Sequence, residues 1–300
     1  MIHDELTGDD TLLGSTRGAR PNEFREGPAL ACPFCPGKEA QTPPELARYG
    51  DERGWRVRAF PNKFPAVEPP EGMHEVIVDA PVHDVEITPE GTRMWRERYS
   101  AMRERFPAGW PVLFKNRGAY AGATLLHPHT QMIVVDRRPV RWHAMIERAR
   151  LARASAGACP WCAERRDARA SGLVVEERPE AVAYVREHSR FGWALTISPG
   201  GCAVSLDRAS DAAWDAVCDT LARAVRALLG NLGEDCPFNV LVASDPHAAP
   251  GCFHWHVELV PRLATLAGFE LSSGMFIRSS TPQESAERWR RMFSLPHGPL

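Results

Sequence analysis

The segment GATLLHPHTQMIVVD, residues 122–136, places two histidines and a glutamine at alternating positions just before an apolar run. Because successive side chains of a β-strand point to opposite faces of a sheet, His127, His129 and Gln131 are expected to share one face. Polar side chains grouped on a buried face are unfavourable unless they have partners. Metal coordination and phosphate chemistry are the two uses that fit imidazole and amide groups in this pattern.

Four of the eight cysteines form two Cys-x-x-Cys pairs, Cys32 with Cys35 in CPFC and Cys159 with Cys162 in CPWC. In a reducing compartment such pairs are typical of metal sites or redox dithiols rather than of structural disulfides. A single pair is weak evidence. Here each of the two pairs opens one half of the chain, which makes a metal role the stronger interpretation.

The two halves of the chain repeat this arrangement. The same spacing separates the first cysteine of each pair from the first histidine of each His-x-His motif, HPH in one half and HWH in the other. Between these motifs a second alignment superimposes Trp95 on Trp214 and His83 on Cys202. A coincidence of several ligand-type positions and a tryptophan indicates an internal repeat.

The repeat predicts two metal sites. Zinc in structural sites takes four Cys and His ligands, which closes its coordination sphere and leaves no position for substrate. Such ions would stabilise each half without taking part in the chemistry. The predicted ligand sets are Cys32, Cys35, His83 and His127 in the first half, and Cys159, Cys162, Cys202 and His254 in the second.

His129 is not needed in the first metal set and stays available for chemistry. A neutral imidazole held in place is a good nucleophile toward phosphorus, and Gln131 can donate a hydrogen bond to a phosphate oxygen. A lone histidine is more often a surface or core residue, but the HPHTQ context beside a metal set favours a catalytic role. In the second half Glu258 takes the place of Gln131 and would repel a phosphate. His256 is therefore expected to be non-catalytic.

The composition is that of an ordinary globular chain, with 44% hydrophobic and 25% charged residues. A formal net charge of −2 gives no general attraction to nucleic acid or anionic membranes. The apolar runs are too short to span a bilayer, and MIHDELTGDD does not resemble a signal peptide. We therefore expect a cytoplasmic protein without nucleic-acid or membrane partners, and we interpret the basic run Arg165–Arg169 as solvated surface.

In each half, short apolar strands surround one amphipathic helix. Thr88 and Pro89 are suited to begin the first of these helices. The pattern predicts an α+β protein with an antiparallel sheet and helices packed on it, organised as domains 1–150 and 151–300. The tail 270–300 contains a short predicted helix, ESAERWRRMF, and leaves open that the chain forms a homodimer.

The segment NRGAYAGATLLHPHTQ resembles the active-site segment of galactose-1-phosphate uridylyltransferases, members of the histidine-triad superfamily. CPFCPG resembles the first zinc pair of that family, EVIVDAPVH the segment with its histidine zinc ligand, and VRAFPNKFPAV the stretch that approaches the nucleotide. The resemblance spans about residues 20–270, and the second cysteine pair is similar to that of two-zinc relatives. It implies two tandem histidine-triad-like repeats.

The resemblance also implies a nucleotidyltransferase. His129 would attack the α-phosphorus of a nucleotide sugar, expel the sugar 1-phosphate and hold the nucleotide covalently until a phosphate acceptor, such as a hexose 1-phosphate, takes it. The first activity implied is that of a UDP-glucose–hexose-1-phosphate uridylyltransferase of galactose metabolism. Gln131 favours transfer over hydrolysis because its amide has no titrating proton. The implied substrate-binding residues are Asn62, Lys63, Asn116, Thr124 and Gln131.

Several positions depart from the family pattern. Lys63 stands where the best-known uridylyltransferases have Asp, which argues against carrying over their uridine specificity. Thr124 replaces the usual Ser, and Thr130 replaces a Gly beside His129, where its side chain could crowd the phosphate. Some uridylyltransferases also hold iron through second-half histidines and a carboxylate. Iron is therefore an alternative at the second site, although three cysteines in register favour zinc.

Two other functions remain open. A nucleotide-sugar or dinucleoside polyphosphate phosphorylase, or an adenylyltransferase, would use the same His129 with a different acceptor or nucleotide. A non-catalytic, zinc-stabilised nucleotide-binding protein is the alternative from another class. The presence of both His129 and Gln131 argues against that second alternative.

Overall fold

The computed structural model of the protein describes residues 1–26, 32–202 and 205–295. The chain divides into two compact units, Met1–Lys115 with Ala123–Ile146, and Asn116–Gly122 with Glu147–Leu300. The last five residues of the tail that we predicted to contain a helix lie outside the described residues, as do residues 203–204 within the second repeat.

The first unit is built on five strands, preceded by a short two-stranded ribbon. The strands are β1 (Ile2–His3), β2 (Asp10–Thr11), β3 (Ala47–Asp51), β4 (Gly54–Pro61), β5 (Met73–Val78), β6 (Trp110–Arg117) and β7 (His129–Val135). The helices up to the second cysteine pair are α1 (Glu23–Glu26), α2 (Pro89–Arg105) and α3 (Val140–Ala156).

Helix α2 begins as the sequence predicts and covers one face of the first unit's strands. The Thr88 hydroxyl accepts a hydrogen bond from the Gly91 N–H at 2.9 Å, and Pro89 occupies the first turn. The helix packs on β4, β5 and β7 through a buried face that includes Trp95, Tyr99 and Met102. This face of the sheet is therefore the core side, and the opposite face presents His129.

The second unit has the same plan. Its strands are β8 (Val174–Arg178), β9 (Ala181–Tyr184), β10 (Leu195–Pro199), β11 (Phe238–Ala243) and β12 (His256–Pro261). Its helices are α4 (Pro160–Ala170), α5 (Asp211–Leu232), α6 (Gly268–Ser273) and α7 (Pro282–Ser294). Helix α5 packs on β9, β10 and β12, and α7, the helix predicted in the tail, packs against α5 and β8.

The two units share one strand order. Neighbouring strands run β3-β4-β5-β7-β6 in the first unit and β8-β9-β10-β12-β11 in the second. All of these pairs are antiparallel. The α+β repeat read from the sequence is thus present in both units, each with its long helix between the third and fourth strands of the repeat. Helix α4, which begins at Pro160 within the second cysteine pair, has no α-helical equivalent at the first pair among the described residues.

Within residues 1–26, 32–202 and 205–295, none of the helices combines the length and apolar character that crossing a bilayer requires.

Candidate active site and metal centres

The pairing of β5 with β7 positions the central residues of the site. Val78 pairs with His129 and Val76 with Gln131, so the two polar side chains lie on one face of β7. His127 precedes the first residue of the strand, so it is delivered by the adjoining loop rather than by the strand alternation that we expected. All three side chains of the HPHTQ motif, His127, His129 and Gln131, are buried.

The first set of sequence-predicted metal ligands comes together. One potential ligand atom from each of four residues lies within 4.8 Å of the others, in the group Cys32, Cys35, His83 and His127. Sγ of Cys35 is 3.2 Å from Nε2 of His83, and Sγ of Cys32 is 3.7 Å from Nδ1 of His127. Two thiols and two imidazoles at this separation fit the donor set of a tetrahedral metal site.

His127 is oriented for this role by a backbone contact. Its Nε2 lies 2.8 Å from the carbonyl oxygen of Ala80, which accepts a hydrogen bond from the Nε2–H group, so the Nδ1 lone pair is directed at the two sulfurs. Histidines that bind metals commonly donate their other N–H to a backbone carbonyl in this way. Burial lowers the pKa of His127 to about 4, so the ring is neutral.

The second set of predicted ligands also comes together. Atoms of Cys159, Cys162, Cys202 and His254 lie within 4.8 Å of one another. Nε2 of His254 is 2.9 Å from Sγ of Cys202 and 3.3 Å from Sγ of Cys159. With three thiols and one imidazole, this group also fits a closed tetrahedral metal site.

Arg165 adjoins the second group, contrary to our interpretation of Arg165–Arg169 as solvated surface. Its side chain is buried, and Nη2 lies 3.4 Å from Sγ of Cys162. The guanidinium also donates to the carbonyl oxygens of Pro199 and Gly201, the latter at 3.0 Å. Three thiolates around a divalent ion carry one net negative charge, which this arginine can balance. One turn of α4 after Cys162 brings Arg165 back to the same side, a helical spacing that the sequence contains but that our strand-based interpretation missed.

The His129 ring is in the tautomer that leaves Nε2 unprotonated and able to act as a nucleophile. Its Nδ1 lies 2.8 Å from the carbonyl oxygen of His127, a pure acceptor, so Nδ1 carries the proton and Nε2 carries the lone pair. Burial lowers the pKa of His129, which keeps the ring neutral. The ring of Phe34 packs edge-on against it at a centroid distance of 5.3 Å. The imidazole is therefore fixed in orientation and in protonation state.

Gln131 is held by His74, a residue of β5 that sequence reasoning missed. Nε2 of His74 lies 3.1 Å from Oε1 of Gln131, and the backbone N–H of Ala66 donates to Nδ1 of His74 at 3.1 Å. Asn62 lies beside the same ring, with Nδ2 3.1 Å from Nε2 of His74, while its Oδ1 accepts from the Phe64 N–H at 2.8 Å. The available signal was a histidine next to Glu75 in the otherwise apolar strand segment MHEVIV.

Two arginines place positive charge near this group. The positive charges of Arg17 and Arg20 both help to lower the pKa of His74, after burial, which is the larger cause. Burial and the neighbouring Arg20 also lower the pKa of Arg17 itself. Two cations close to each other and to a neutral imidazole form a region suited to an anion. Both arginines precede the first cysteine pair, where no motif had drawn attention to them.

Thr130 does not crowd the His129 face, which corrects the expectation from the sequence. Its side chain points to the opposite, α2-covered face, where its hydroxyl donates to Oδ2 of Asp79 at 2.8 Å. Lys115 donates to the same oxygen at 2.8 Å and lies 3.1 Å from Glu86, and Trp95 donates to Oδ1 of Asp79 at 2.7 Å. We call Asp79, Glu86, Trp95, Lys115 and Thr130 the Asp79 cluster.

The Asp79 cluster is a buried network of paired charges. Burial pulls the pKa of Lys115 down, but the carboxylates of Asp79 and Glu86 more than offset this and raise it. The backbone N–H of Asp79 also donates to the carbonyl oxygen of Pro128 at 3.1 Å. Through Pro128 and Thr130, the cluster therefore holds the residues on either side of His129.

The remaining predicted substrate-binding residues lie in three places. Lys63 is exposed, and the carbonyl oxygen of Thr124 accepts from the Glu23 N–H at 2.9 Å. In the second unit, Oδ1 of Asn116 accepts from Nδ2 of Asn239 at 2.8 Å, and Asn239 also donates to the carbonyl oxygen of Ala121. Asn239 therefore anchors both ends of the Asn116–Gly122 segment, a contact that residues so distant in sequence could not reveal.

Comparison with known proteins places the chain in a family. A family model described as "Domain of unknown function (DUF4921)" matches residues 96–295. ADP-glucose phosphorylase of Arabidopsis thaliana is 23% identical over 326 residues, which cover 96% of this chain and 92% of that protein. Galactose-1-phosphate uridylyltransferase of Thermotoga maritima is 24% identical over 324 residues, 97% of each chain.

The fold is shared with solved structures. The crystal structure of an ADP-glucose phosphorylase from Arabidopsis thaliana with bound ADP-glucose superimposes with a TM-score of 0.79 at 24% identity, over 91% of this chain and 92% of that one. The expected α+β fold of tandem histidine-triad-like repeats and the resemblance to galactose-1-phosphate uridylyltransferases are thereby confirmed. The chain belongs to the DUF4921 family and is a relative of the galactose-1-phosphate uridylyltransferase-like proteins.

Proposed function

We propose that the protein transfers a nucleoside monophosphate from a nucleotide sugar to a phosphate acceptor through a covalent intermediate on His129. The observation that carries this proposal is the hydrogen bond from Nδ1 of His129 to the carbonyl oxygen of His127. It fixes the neutral tautomer whose Nε2 lone pair is free to attack phosphorus. The relatives named as uridylyltransferase and phosphorylase support nucleotidyl transfer between a nucleotide sugar and phosphate.

The reaction has two displacements at the α-phosphorus. In the first, the Nε2 lone pair of His129 forms a bond to phosphorus while the bond to the sugar 1-phosphate oxygen breaks. The ring keeps its Nδ1 proton and becomes a cationic, nucleotidylated imidazole, and the His127 carbonyl oxygen accepts that proton's hydrogen bond throughout. In the second, an oxygen of the acceptor phosphate displaces the imidazole and His129 returns to its neutral state.

The roles of the other residues follow from their chemistry. Gln131 donates from its amide nitrogen to the oxygens of the transferred phosphoryl group. Asn116 and Thr124 are kept as substrate-binding residues on the resemblance alone. Asn62 and Lys63 contact the nucleotide. Arg17 and Arg20 add positive charge that attracts the polyphosphate.

We also propose that both cysteine-histidine groups bind zinc. The first site would be held by Cys32, Cys35, His83 and His127, and the second by Cys159, Cys162, Cys202 and His254. When bound, zinc with four protein ligands supplies structural stability to each repeat, and iron remains the alternative at the second site. The thiols require a reducing environment, which agrees with the predicted cytoplasmic location. The N-terminal domain, 1–150, would then be catalytic and the C-terminal domain, 151–300, non-catalytic.

The phosphate acceptor distinguishes two possible activities within this proposal. A hexose 1-phosphate acceptor would make the protein a uridylyltransferase-like enzyme of galactose metabolism, whereas inorganic phosphate would make it a nucleotide-sugar phosphorylase. The exposed Lys63, in place of the uridylyltransferase Asp, and the full-length match to a protein named ADP-glucose phosphorylase favour testing the second version.

The test is the intact mass of the protein after it is mixed with UDP-glucose or with ADP-glucose and quenched in base. We expect a gain equal to one nucleoside monophosphate, which names the base and demonstrates the intermediate. In parallel samples, inorganic phosphate or galactose 1-phosphate is added before the quench. The compound that discharges the adduct is the acceptor. An adduct on His129→Ala that turns over would exclude His129 as the nucleophile.

A further inference from the structure

His74 occupies an unusual place for an ionisable residue. It lies on β5 between Met73 and Glu75 and is almost fully buried. In the β5–β7 register it pairs with Ile133, two positions from the pair of Val76 and Gln131, so its side chain lies on the His129 face. A buried imidazole is unfavourable unless its ring nitrogens have hydrogen-bond partners, so the contacts of His74 require an explanation.

The protonation of the His74 ring is set by the backbone. The N–H of Ala66 donates to Nδ1 at 3.1 Å, and a backbone amide can only donate, so Nδ1 must carry the lone pair. Burial lowers the pKa of His74 to about 4, so the ring is neutral near pH 7 and its single proton is on Nε2. That N–H donates to Oε1 of Gln131 at 3.1 Å. The nearby Asn62 Nδ2 is itself a donor and does not compete for this proton.

The direction of these bonds decides which end of the Gln131 amide is available. Since Oε1 accepts from His74, the two N–H groups of Nε2 remain. They have no partner among the residues that the structure describes. A phosphoryl oxygen is an acceptor, so only this orientation attracts it, whereas the reversed amide would present a carbonyl oxygen and repel it.

We propose that His74 is a positioning residue that fixes the Gln131 amide as a donor toward the transferred phosphoryl group. This proposal rests on the proposed function. The three groups form a relay in which the Ala66 N–H sets the His74 tautomer and the His74 N–H sets the Gln131 orientation. The relay prepares the donor before substrate binds, so no reorientation is required in the transition state.

The second half of the chain provides an internal comparison. There Thr196 pairs with Glu258 as Val76 pairs with Gln131, so Ala194 holds the position of His74. The repeat that lacks the amide also lacks the imidazole that would orient it. A histidine needed only for folding of the repeat would have no reason to accompany Gln131.

The test uses five variants of the full-length protein, four single and one double, with ADP-glucose and UDP-glucose as probes. His74→Phe keeps the ring volume and removes the donor, and His74→Gln restores an N–H donor at the Nε2 position. We expect His74→Phe to slow nucleotidyl-adduct formation about tenfold or more at saturating probe, with little change in the half-saturating concentration. His74→Gln should recover most of the rate. His256→Phe, the same change at a histidine of equal burial, should keep the original rate.

The decisive comparison is a double-mutant cycle with Gln131→Ala. If His74 acts through Gln131, His74→Phe should add no further loss once the amide is absent. An equal loss in both backgrounds, or a loss that His74→Gln does not restore, would overturn the relay while the proposed function stands. Failure of the unaltered protein to form an adduct with either probe would overturn the proposed function, and the relay with it.

Discussion

Nδ1 of His256 donates a hydrogen bond to the main-chain carbonyl oxygen of His254 at 2.9 Å. This pair reproduces the bond from His129 to His127 in the first repeat, including the buried, oriented imidazole. The difference lies two residues further along the strand, where Glu258 replaces Gln131 and its Oε1 is 3.7 Å from Nε2 of His256. The second repeat therefore has the same imidazole geometry but holds a carboxylate where the first repeat has an amide.

This relationship predicts that the second histidine does not take part in nucleotidyl transfer. His256→Ala should keep adduct formation within about twofold of the original rate, because Glu258 repels the phosphate that His256 would have to attack. His129→Ala should abolish it. Base-quenched protein with radiolabelled nucleotide sugar measures both. Label that disappears in His256→Ala but persists in His129→Ala would reverse the assignment of the two repeats.

A second prediction concerns the metal content. Elemental measurement of untagged protein should find about two metal ions per chain, because two groups of four ligands are assembled. Cys159→Ser should lower the number to about one and reduce thermal stability, since closed zinc sites contribute directly to folding. Cys218→Ser is the matched control, because this buried cysteine belongs to neither group. An unchanged metal content in Cys159→Ser would remove the second site.

The third prediction concerns Thr130, whose hydroxyl binds a buried carboxylate in the Asp79 cluster. Thr130→Val should lower the free energy of unfolding by about 2 kcal/mol, because a hydrogen bond to a buried charged group is lost. Thr220→Val removes an equally buried hydroxyl that binds only the Ala216 carbonyl within α5, and should cost much less. Denaturant unfolding compares the two. Equal losses would show that the hydrogen bond to Asp79 contributes no more to stability than the Thr220 bond to a neutral carbonyl.

The sequence predicted those parts of the site that depend on local spacing or on the repeat. The eight candidate metal ligands, which the structure brings together in two groups, and the α2 cap follow from short motifs and from the repeat. His74 and Asp79 were missed because each acts through a tertiary contact with a residue far away in sequence, whereas Arg165 was missed because Cys162 was not expected to lie on a helix. Thr130 was misread although strand alternation already places its side chain opposite to His129 and Gln131; only its partner there, Asp79, required the structure.

The fourth prediction is a pH dependence due to His74. Its pKa is about 4 in the folded protein against 6.5 for an unperturbed histidine, so the unfolded state binds more protons between these values. Folding stability should therefore fall as the pH drops from about 6.5 to 4, and the share due to His74 is on the order of 3 kcal/mol. Arg17, Arg20 and His129 face the ring and oppose its protonation. Unfolding of His74→Gln, which lacks the titrating group, should show a correspondingly weaker acid dependence; equal curves would contradict it.

The last prediction tests why this site carries glutamine instead of a third histidine. Gln131→His adds a group that can accept and donate protons, so water should compete better with the phosphate acceptor and the ratio of hydrolysis to transfer should rise. Loss of the positioned amide donor should also slow transfer by about a hundredfold. Gln131→Leu is the matched control, because it loses the same donor without gaining a titrating group. Free nucleoside monophosphate and transferred product are measured together from labelled nucleotide sugar. A ratio that rises equally in both variants would show that the lost amide, and not the new imidazole, admits water.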